Sequence, residues 1–165
     1  MLSAMKKEIE IRKEELKSPI RSVYLGGGTP SLLHPEEVED LFSHISDHFA
    51  VEPGAEITLE VNPDDLDRER LMRWAQSPVN RLSIGIQSFV DEDLKFMNRA
   101  HDRKQAFTSL EEAFSFFENI SIDLIYGVPG MTEKRWRGNL EQAFEFAESS
   151  KSFALYSEIK DVEAM

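Results

Sequence analysis

Residues 22–35, Ser-Val-Tyr-Leu-Gly-Gly-Gly-Thr-Pro-Ser-Leu-Leu-His-Pro, decide the fold class of this chain. The first four residues predict a short buried strand, and three glycines end it. Pro35 suits the first turn of a helix. The apolar residues that follow recur at helical spacing, namely Val38, Leu41, Phe42, Ile45 and Phe49. The segment therefore predicts a strand, a glycine-rich turn and a helix in succession.

The same unit recurs along the chain. Apolar strands are predicted at residues 22–25, 56–61, 81–86, 121–126 and 153–156. Helical patterns lie between consecutive strands, and a further helix is predicted over residues 2–17. Repeated strand–helix–strand connections produce a parallel sheet. We therefore expect a single α/β domain over residues 1–165, with about five parallel strands and flanking helices. The pattern leaves open whether the sheet is flat or forms part of a barrel.

Composition excludes several classes of protein. The chain has 165 residues, 41% of them hydrophobic and 30% charged, which is typical of a globular protein. The net charge of −12 argues against bulk electrostatic binding to nucleic acid or anionic membranes. No apolar run approaches the roughly 20 residues of a membrane span. The start lacks the apolar core of a signal peptide, so a cytoplasmic protein is expected.

The chain contains no cysteine. Disulfides, thiol catalysis and an iron–sulfur cluster held by this chain's own thiolates are thereby excluded.

Candidate site residues stand at the ends of the predicted strands, where parallel α/β folds bind ligands. Gly27, Gly28 and Thr29 follow the first strand. Their amide N–H groups suit a carboxylate or phosphate and their carbonyls an ammonium, although a tight turn alone also requires glycine. Glu60, near the end of the second strand, shares a face with Thr58. A carboxylate there indicates a polar pocket more than a solvated strand face.

Later strands add further polar residues. Gln87 follows the third strand and suits a neutral polar ligand, or it caps a loop. Asp123 lies within the fourth strand, where burial of a carboxylate requires a partner. Arg99 is one candidate partner, and a ligand hydroxyl is another. Without such a role, Arg99 is an ordinary surface side chain.

The histidines do not predict a metal site. His44 and His48 are one helical turn apart, but no carboxylate is expected to complete a convincing set of ligands. His101 is expected at the surface or satisfied by a local hydrogen bond. We therefore predict no metal ligands in this chain.

Five ordered motifs over residues 23–132 resemble radical S-adenosylmethionine proteins, most closely the oxygen-independent coproporphyrinogen III oxidase group. The motifs are residues 24–33 (YLGGGTPSLL), 56–63 (EITLEVNP), 80–89 (NRLSIGIQSF), 97–101 (MNRAH) and 119–130 (NISIDLIYGVPG). The resemblance implies a partial (β/α) barrel with the cofactor across its strand ends.

The resemblance also implies roles for residues. Gly27, Gly28 and Thr29 match the loop that contacts the methionine end of S-adenosylmethionine. Four further residues match polar positions that line the cofactor site: Glu60, Gln87, Arg99 and Asp123. In that family a [4Fe–4S] cluster reduces S-adenosylmethionine to start radical chemistry.

Small details favour one branch of the group. The sequences around Thr29, Gln87 and Arg99 look more like the haem-chaperone branch than the decarboxylating oxidases. The family's three cluster cysteines and its C-terminal region have no counterpart here. We therefore interpret the chain as the central part of a longer barrel protein acting in porphyrin or haem metabolism.

Two hypotheses remain open. In the first, the chain is a fragment of a radical enzyme or haem chaperone that uses S-adenosylmethionine and [4Fe–4S]. In the second, it is a cluster-less protein that binds S-adenosylmethionine or haem without radical chemistry. Both imply small-molecule and porphyrin partners, with no nucleic acid. Because the cluster that normally anchors the methionine group has no ligands here, we expect the chain alone to be inactive in radical chemistry and to bind S-adenosylmethionine weakly or not at all.

Overall fold

The computed structural model describes residues 1–148 and 152–159. Five strands form one sheet: β1 (Ile20–Leu25), β2 (Val51–Val61), β3 (Arg81–Gln87), β4 (Asn119–Tyr126) and β5 (Ser152–Ile159). Within the described residues, six α-helices flank it: α1 (Leu2–Arg12), α2 (Pro35–His48), α3 (Arg68–Gln76), α4 (Asp91–Phe96), α5 (Arg103–Phe114) and α6 (Glu133–Glu148). The five predicted strands and the alternation of strand and helix are confirmed.

All strand pairs are parallel, and the spatial order β1-β2-β3-β4-β5 follows the sequence. Leu25 pairs with Leu59, and Leu59 pairs with Leu82. Parallel connections are almost always right-handed, so a sequential order brings every helix to the same face of the sheet. This is the arrangement of a segment of a (β/α) barrel.

The two faces of the sheet differ in chemistry. Alternate strand residues form the core beneath the helices, among them Ile57, Leu59, Leu82, Ile84, Ile120 and Ile122. Helix residues such as Leu71, Trp74 and Leu110 complete this core and are completely buried. The intervening strand residues are polar and point to the opposite face, here called the polar face: Tyr24, Thr58, Glu60, Arg81, Ser83, Ser121 and Asp123. A parallel sheet covered by helices on one face can thus keep charged residues on the other.

Several boundaries differ from the prediction. Helix α1 ends at Arg12, five residues before the predicted end. Strand β2 begins at Val51 and continues through Pro53 and Gly54, which the sequence marks as a break. These two residues lie where the pairing of β1 with β2 shifts, and Gly54 has a positive φ of 81°. The irregularity is accommodated inside the strand, as β-bulges are.

For α6, the helical spacing of apolar residues predicts a core face of Trp136, Leu140, Ala143, Phe144 and Ala147, and one of these residues is wrong. Phe144 is 56% exposed, whereas Phe146 packs among Phe89, Phe107 and Phe114. The helical periodicity therefore predicts the buried side of α6, but it includes Phe144, whose ring lies at the edge of that side and is exposed.

Within the described ranges, none of the helices combines the length and apolarity that crossing a bilayer requires.

Candidate functional site

A cleft of about 540 Å³ opens on the polar face at the carboxyl ends of β1 to β4. Six of the seven residues predicted from sequence line it: Gly28, Thr29, Glu60, Gln87, Arg99 and Asp123. The structure therefore brings together residues that are up to 95 positions apart, from 28 to 123. Gly27 is the exception, because it adjoins the cleft without lining it.

Glu60 fixes the glycine-rich loop. Its Oε2 accepts a hydrogen bond from the backbone N–H of Gly27 at 2.9 Å, and its Oε1 accepts one from the Tyr24 hydroxyl at 2.7 Å. The N–H of Gly27 is thus engaged by the protein itself. Gly27 and Gly28 have φ values of 80° and 69°, a left-handed conformation that favours glycine.

Gly26 is required for a different reason. A Cβ at this position would lie 2.4 Å from Cε1 of Tyr24 and 3.0 Å from Cδ of Glu60. Only hydrogen leaves space for the phenol to reach the carboxylate. Partial burial and the hydrogen bond to Glu60 raise the pKa of Tyr24 to about 12, so its hydroxyl stays protonated at neutral pH.

Gln87 ends β3 in an unusual backbone conformation. Its φ is 66°, which is rare for a residue other than glycine, asparagine or aspartate. The pairing of β3 with β4 shifts between Ile84 and Gln87, so the strand leaves regular geometry at the cleft. Such strain often accompanies a binding or catalytic site. A Cβ on Gly85 would lie 2.7 Å from Nε2 of Gln87, so glycine there leaves room for the amide.

Arg99 reaches the cleft from the turn after α4. Its guanidinium donates to Oδ1 of Asn62 at 2.6 Å, and Asn62 follows β2 directly. The preceding residue, Asn98, also has a positive φ, 53°. Asn62 therefore holds a cation that comes to the cleft from outside the strands, while Asp123 of β4 lines the same cleft.

A second arginine lies deeper on the polar face. Arg81 is buried, donating to Oγ1 of Thr58 at 3.1 Å and to Oγ of Ser121 at 2.8 Å. The Glu56 carboxylate lies 3.8 Å from its guanidinium and supplies a nearby negative charge. The lining thus combines two carboxylates, Glu60 and Asp123, with two guanidinium groups.

His101 is fully enclosed beneath the cleft. Its Nε2 lies 3.0 Å from the carbonyl oxygen of Ile86, the residue before Gln87. Its Nδ1 lies 3.5 Å from the Asp64 carboxylate. Burial lowers the pKa of His101, which favours the neutral ring, and that ring can donate Nε2–H to the Ile86 carbonyl. The alternative of a surface histidine is wrong, and that of a hydrogen-bonded one is confirmed.

Sequence reasoning missed five lining residues with polar side chains: Tyr24, Ser31, Asn62, Arg81 and Ser83. Asn62 directly follows a strand and was detectable by the strand-end rule. Arg81 and Ser83 alternate with apolar residues in β3, which is the signal of a two-faced strand.

The absence of a carboxylate near His44 and His48 was also a wrong expectation. Glu10 of α1 lies beside them, with Oε1 3.6 Å from Nε2 of His44. This cluster joins α1 to α2, outside the residues that line the cleft.

The cleft can recognise a ligand that carries charges of both signs. Carboxylates accept hydrogen bonds from ammonium and hydroxyl groups, guanidinium groups bind carboxylates, and the Gln87 amide both donates and accepts.

Known proteins share this architecture. The Radical SAM superfamily profile matches residues 3–143. Heme chaperone HemW from Lactococcus lactis is 39% identical over 154 residues, which cover 90% of this chain and 40% of the relative. The Bacillus subtilis protein of the same name is 37% identical over 148 residues, covering 87% and 38% respectively.

A solved structure agrees. Coproporphyrinogen III oxidase (HemN) from Escherichia coli, described as a radical SAM enzyme, superposes with a TM-score of 0.80 at 28% identity. The match covers 94% of this chain and 36% of that protein. The chain thus spans about two-fifths of the length of these relatives.

Proposed function

The chain belongs to the radical SAM superfamily, and we propose that its cleft is the S-adenosylmethionine site of a porphyrin- or haem-related protein. One observation carries the proposal: six separately predicted polar or glycine residues line a single cleft at the carboxyl ends of four parallel strands. In such folds, this edge is where ligands bind.

The charges of the cleft match those of S-adenosylmethionine. The ligand carries an ammonium, a carboxylate and a sulfonium at its methionine end, and hydroxyl groups on its ribose. Asp123 is suited to positive or hydroxyl groups, and Arg99 is suited to the carboxylate. Gly28 and Thr29 border the loop that the family resemblance assigns to the methionine end. Glu60 contributes by holding that loop, since both of its oxygens already accept hydrogen bonds from Gly27 and Tyr24.

The residues present do not fit the [4Fe–4S] cluster of the family. Its ligands are cysteine thiolates, and this chain contains no cysteine. We therefore assign no radical step to the chain itself. Anaerobic reconstitution with iron and sulfide is expected to give no iron–sulfur absorbance, and a stoichiometric cluster spectrum would contradict this expectation.

Without a cluster to anchor the methionine group, binding should be weak, with a Kd of about 0.1–1 mM or above. Amide chemical shifts recorded during a titration with S-adenosylmethionine test the proposal. The largest changes are expected at Thr29, Gln87 and Asp123. Asp123→Asn should abolish them, while Asp47→Asn, the same change at an exposed site on α2, should leave them intact. Saturation without shifts in the cleft would overturn the proposal.

The relation to haem rests on the relatives. Two of them carry the name heme chaperone, and the matching solved structure is a coproporphyrinogen III oxidase. We therefore place the chain in a haem-handling protein rather than in an unrelated radical enzyme. Titration with hemin, followed by the Soret band, tests whether this part of the protein binds haem. A Soret band identical to that of free hemin would count against haem binding by this chain.

The competing proposal is a cluster-less protein that uses the same cleft for binding only. The gene sequence upstream of Met1 discriminates between the two. A C-x-x-x-C-x-x-C motif within about 60 residues, roughly two strand–helix units, would establish a fragment of a cluster protein. An intact gene that starts at Met1 would favour the binding protein.

A further inference from the structure

Helices α1 and α2 bring three metal-binding side chains together outside the residues that line the cleft. Ligand atoms of Glu10, His44 and His48 all lie within 4.8 Å of one another. His44 and His48 are one turn apart on α2, so they share a face of that helix. Glu10 reaches them from α1, which is why the sequence of α2 alone gave no indication of the site.

The geometry of the histidines suits metal binding. Nδ1 of His48 lies 2.8 Å from the carbonyl oxygen of His44, the position in which Nδ1–H donates to that carbonyl. The proton is then held on Nδ1, and the lone pair of Nε2 is free for a metal. Metal-binding histidines commonly have such a carbonyl partner, which fixes the tautomer and the ring orientation. The two imidazole rings are 4.5 Å apart between centroids.

His44 faces the carboxylate. Its Nε2 lies 3.6 Å from Oε1 of Glu10 and 3.1 Å from the backbone carbonyl oxygen of Lys6. Its side chain is 19% exposed, whereas Glu10 is exposed, so the cluster is open to solvent on one side. Water can therefore complete the coordination.

The surrounding charges do not oppose a cation. The ammonium of Lys6, the residue whose backbone carbonyl lies beside His44, is paired with the Asp40 carboxylate. Arg12, further along α1, lies near Glu8 and Glu15. The Glu10 carboxylate is thus close to the two imidazoles, while these cations face other carboxylates.

We propose that Glu10, His44 and His48 form a binding site for a divalent transition-metal ion such as Zn²⁺, which ties α1 to α2. Two imidazoles and one carboxylate are ligands that zinc accepts, with ligand bonds of about 2.0–2.2 Å. Small side-chain rotations bring the three groups to that distance from a common centre. The site would hold a helix that has no buried residue of its own.

The test uses zinc chloride alone in a buffer that does not chelate metals. Competition against a chromophoric zinc chelator is expected to show one Zn²⁺ bound per chain with micromolar affinity. His48→Ala and Glu10→Gln should each weaken binding by about 10- to 100-fold. Glu10 is exposed and glutamine has nearly the same shape, so this variant should fold even if a histidine variant does not.

Two matched controls accompany these variants. Glu14→Gln makes the same charge change just beyond α1, and His34→Asn removes an exposed imidazole at the other end of α2. Both should bind zinc as the unmodified chain does. At the same zinc concentration, the thermal midpoint should rise in the unmodified chain and in both controls, and should rise less in Glu10→Gln. No zinc binding, or binding that Glu10→Gln and His48→Ala leave unchanged, would overturn the proposal.

Discussion

The carboxylate of Glu60 accepts a hydrogen bond from the backbone N–H of Gly27, 2.9 Å away, although 33 positions separate the two residues. This bond joins the end of β2 to the loop that follows β1. The second oxygen of Glu60 accepts from Tyr24, so one side chain fixes both ends of the turn at residues 25–27. A hydrogen bond to an ionised carboxylate contributes more than one between neutral groups.

We expect Glu60→Gln to weaken S-adenosylmethionine binding by about 10-fold, because the amide NH₂ group cannot accept a hydrogen bond and one of the two bonds is lost. Glu56→Gln is the matched control, since Glu56 lies on the same strand and outside the residues lining the cleft. The dissociation constants come from the chemical-shift titration. If both variants bind with equal affinity, the Glu60–Gly27 bond does not organise the site.

Gly26→Ala should destabilise the fold by about 1–3 kcal/mol, because its Cβ would force the Tyr24 ring away from Glu60. Gly138→Ala, in α6, should instead stabilise the chain by about 0.5–1 kcal/mol, because no atom lies within 4 Å of the new methyl group. Urea unfolding measures both. If Gly26→Ala leaves both the free energy of unfolding and the NMR signals of the Tyr24 ring unchanged, the ring is not confined by this glycine.

The stability of the chain should fall as the pH drops below about 6.5, because His101 is buried and its folded-state pKa is lowered. Between that lowered pKa and about 6.5, the unfolded chain binds more protons than the folded one. The free energy of unfolding therefore decreases there by up to about 1.4 kcal/mol per pH unit.

Urea unfolding from about pH 7 to pH 5 measures this slope. His101→Gln should reduce it, and His34→Asn, which removes an exposed imidazole, should retain it. An unchanged slope in His101→Gln would assign the pH dependence to other groups.

Phe146→Ala should cost about 2–4 kcal/mol of stability, because the ring packs among Phe89, Phe107 and Phe114. Phe144→Ala, two residues earlier on the same helix, should cost less than about 1 kcal/mol, because that ring is 56% exposed. Thermal and urea unfolding of the pair would compare them directly. Equal costs would contradict the observed orientation of α6.

The strand and helix order follows from local sequence, and so do five of the six predicted site residues that line the cleft. The alternation of strand residues and the glycine turns depend on residues only a few positions apart, so the sequence predicts them without knowledge of the fold. The strand-end rule then selected Gly28, Glu60, Gln87 and Asp123, because parallel strands end at one edge. Arg99 came from the family resemblance rather than from its own pattern.

Tertiary structure decided what these residues do. The sequential strand order places the helices on one face of the sheet. Thr58 and Arg81 lie on the other face, which is why these strand residues are polar. The sequence predicts Glu60 as a ligand contact, but in the folded chain its carboxylate holds the backbone N–H of Gly27. His101 is buried with its Nε2 against the carbonyl oxygen of Ile86. The sequence by itself determined the order of strands and helices and the lack of cysteine ligands for an iron–sulfur cluster. Partners that are tens of residues apart, such as Glu10 and His44, meet only when the helices pack, because no local pattern encodes that distance.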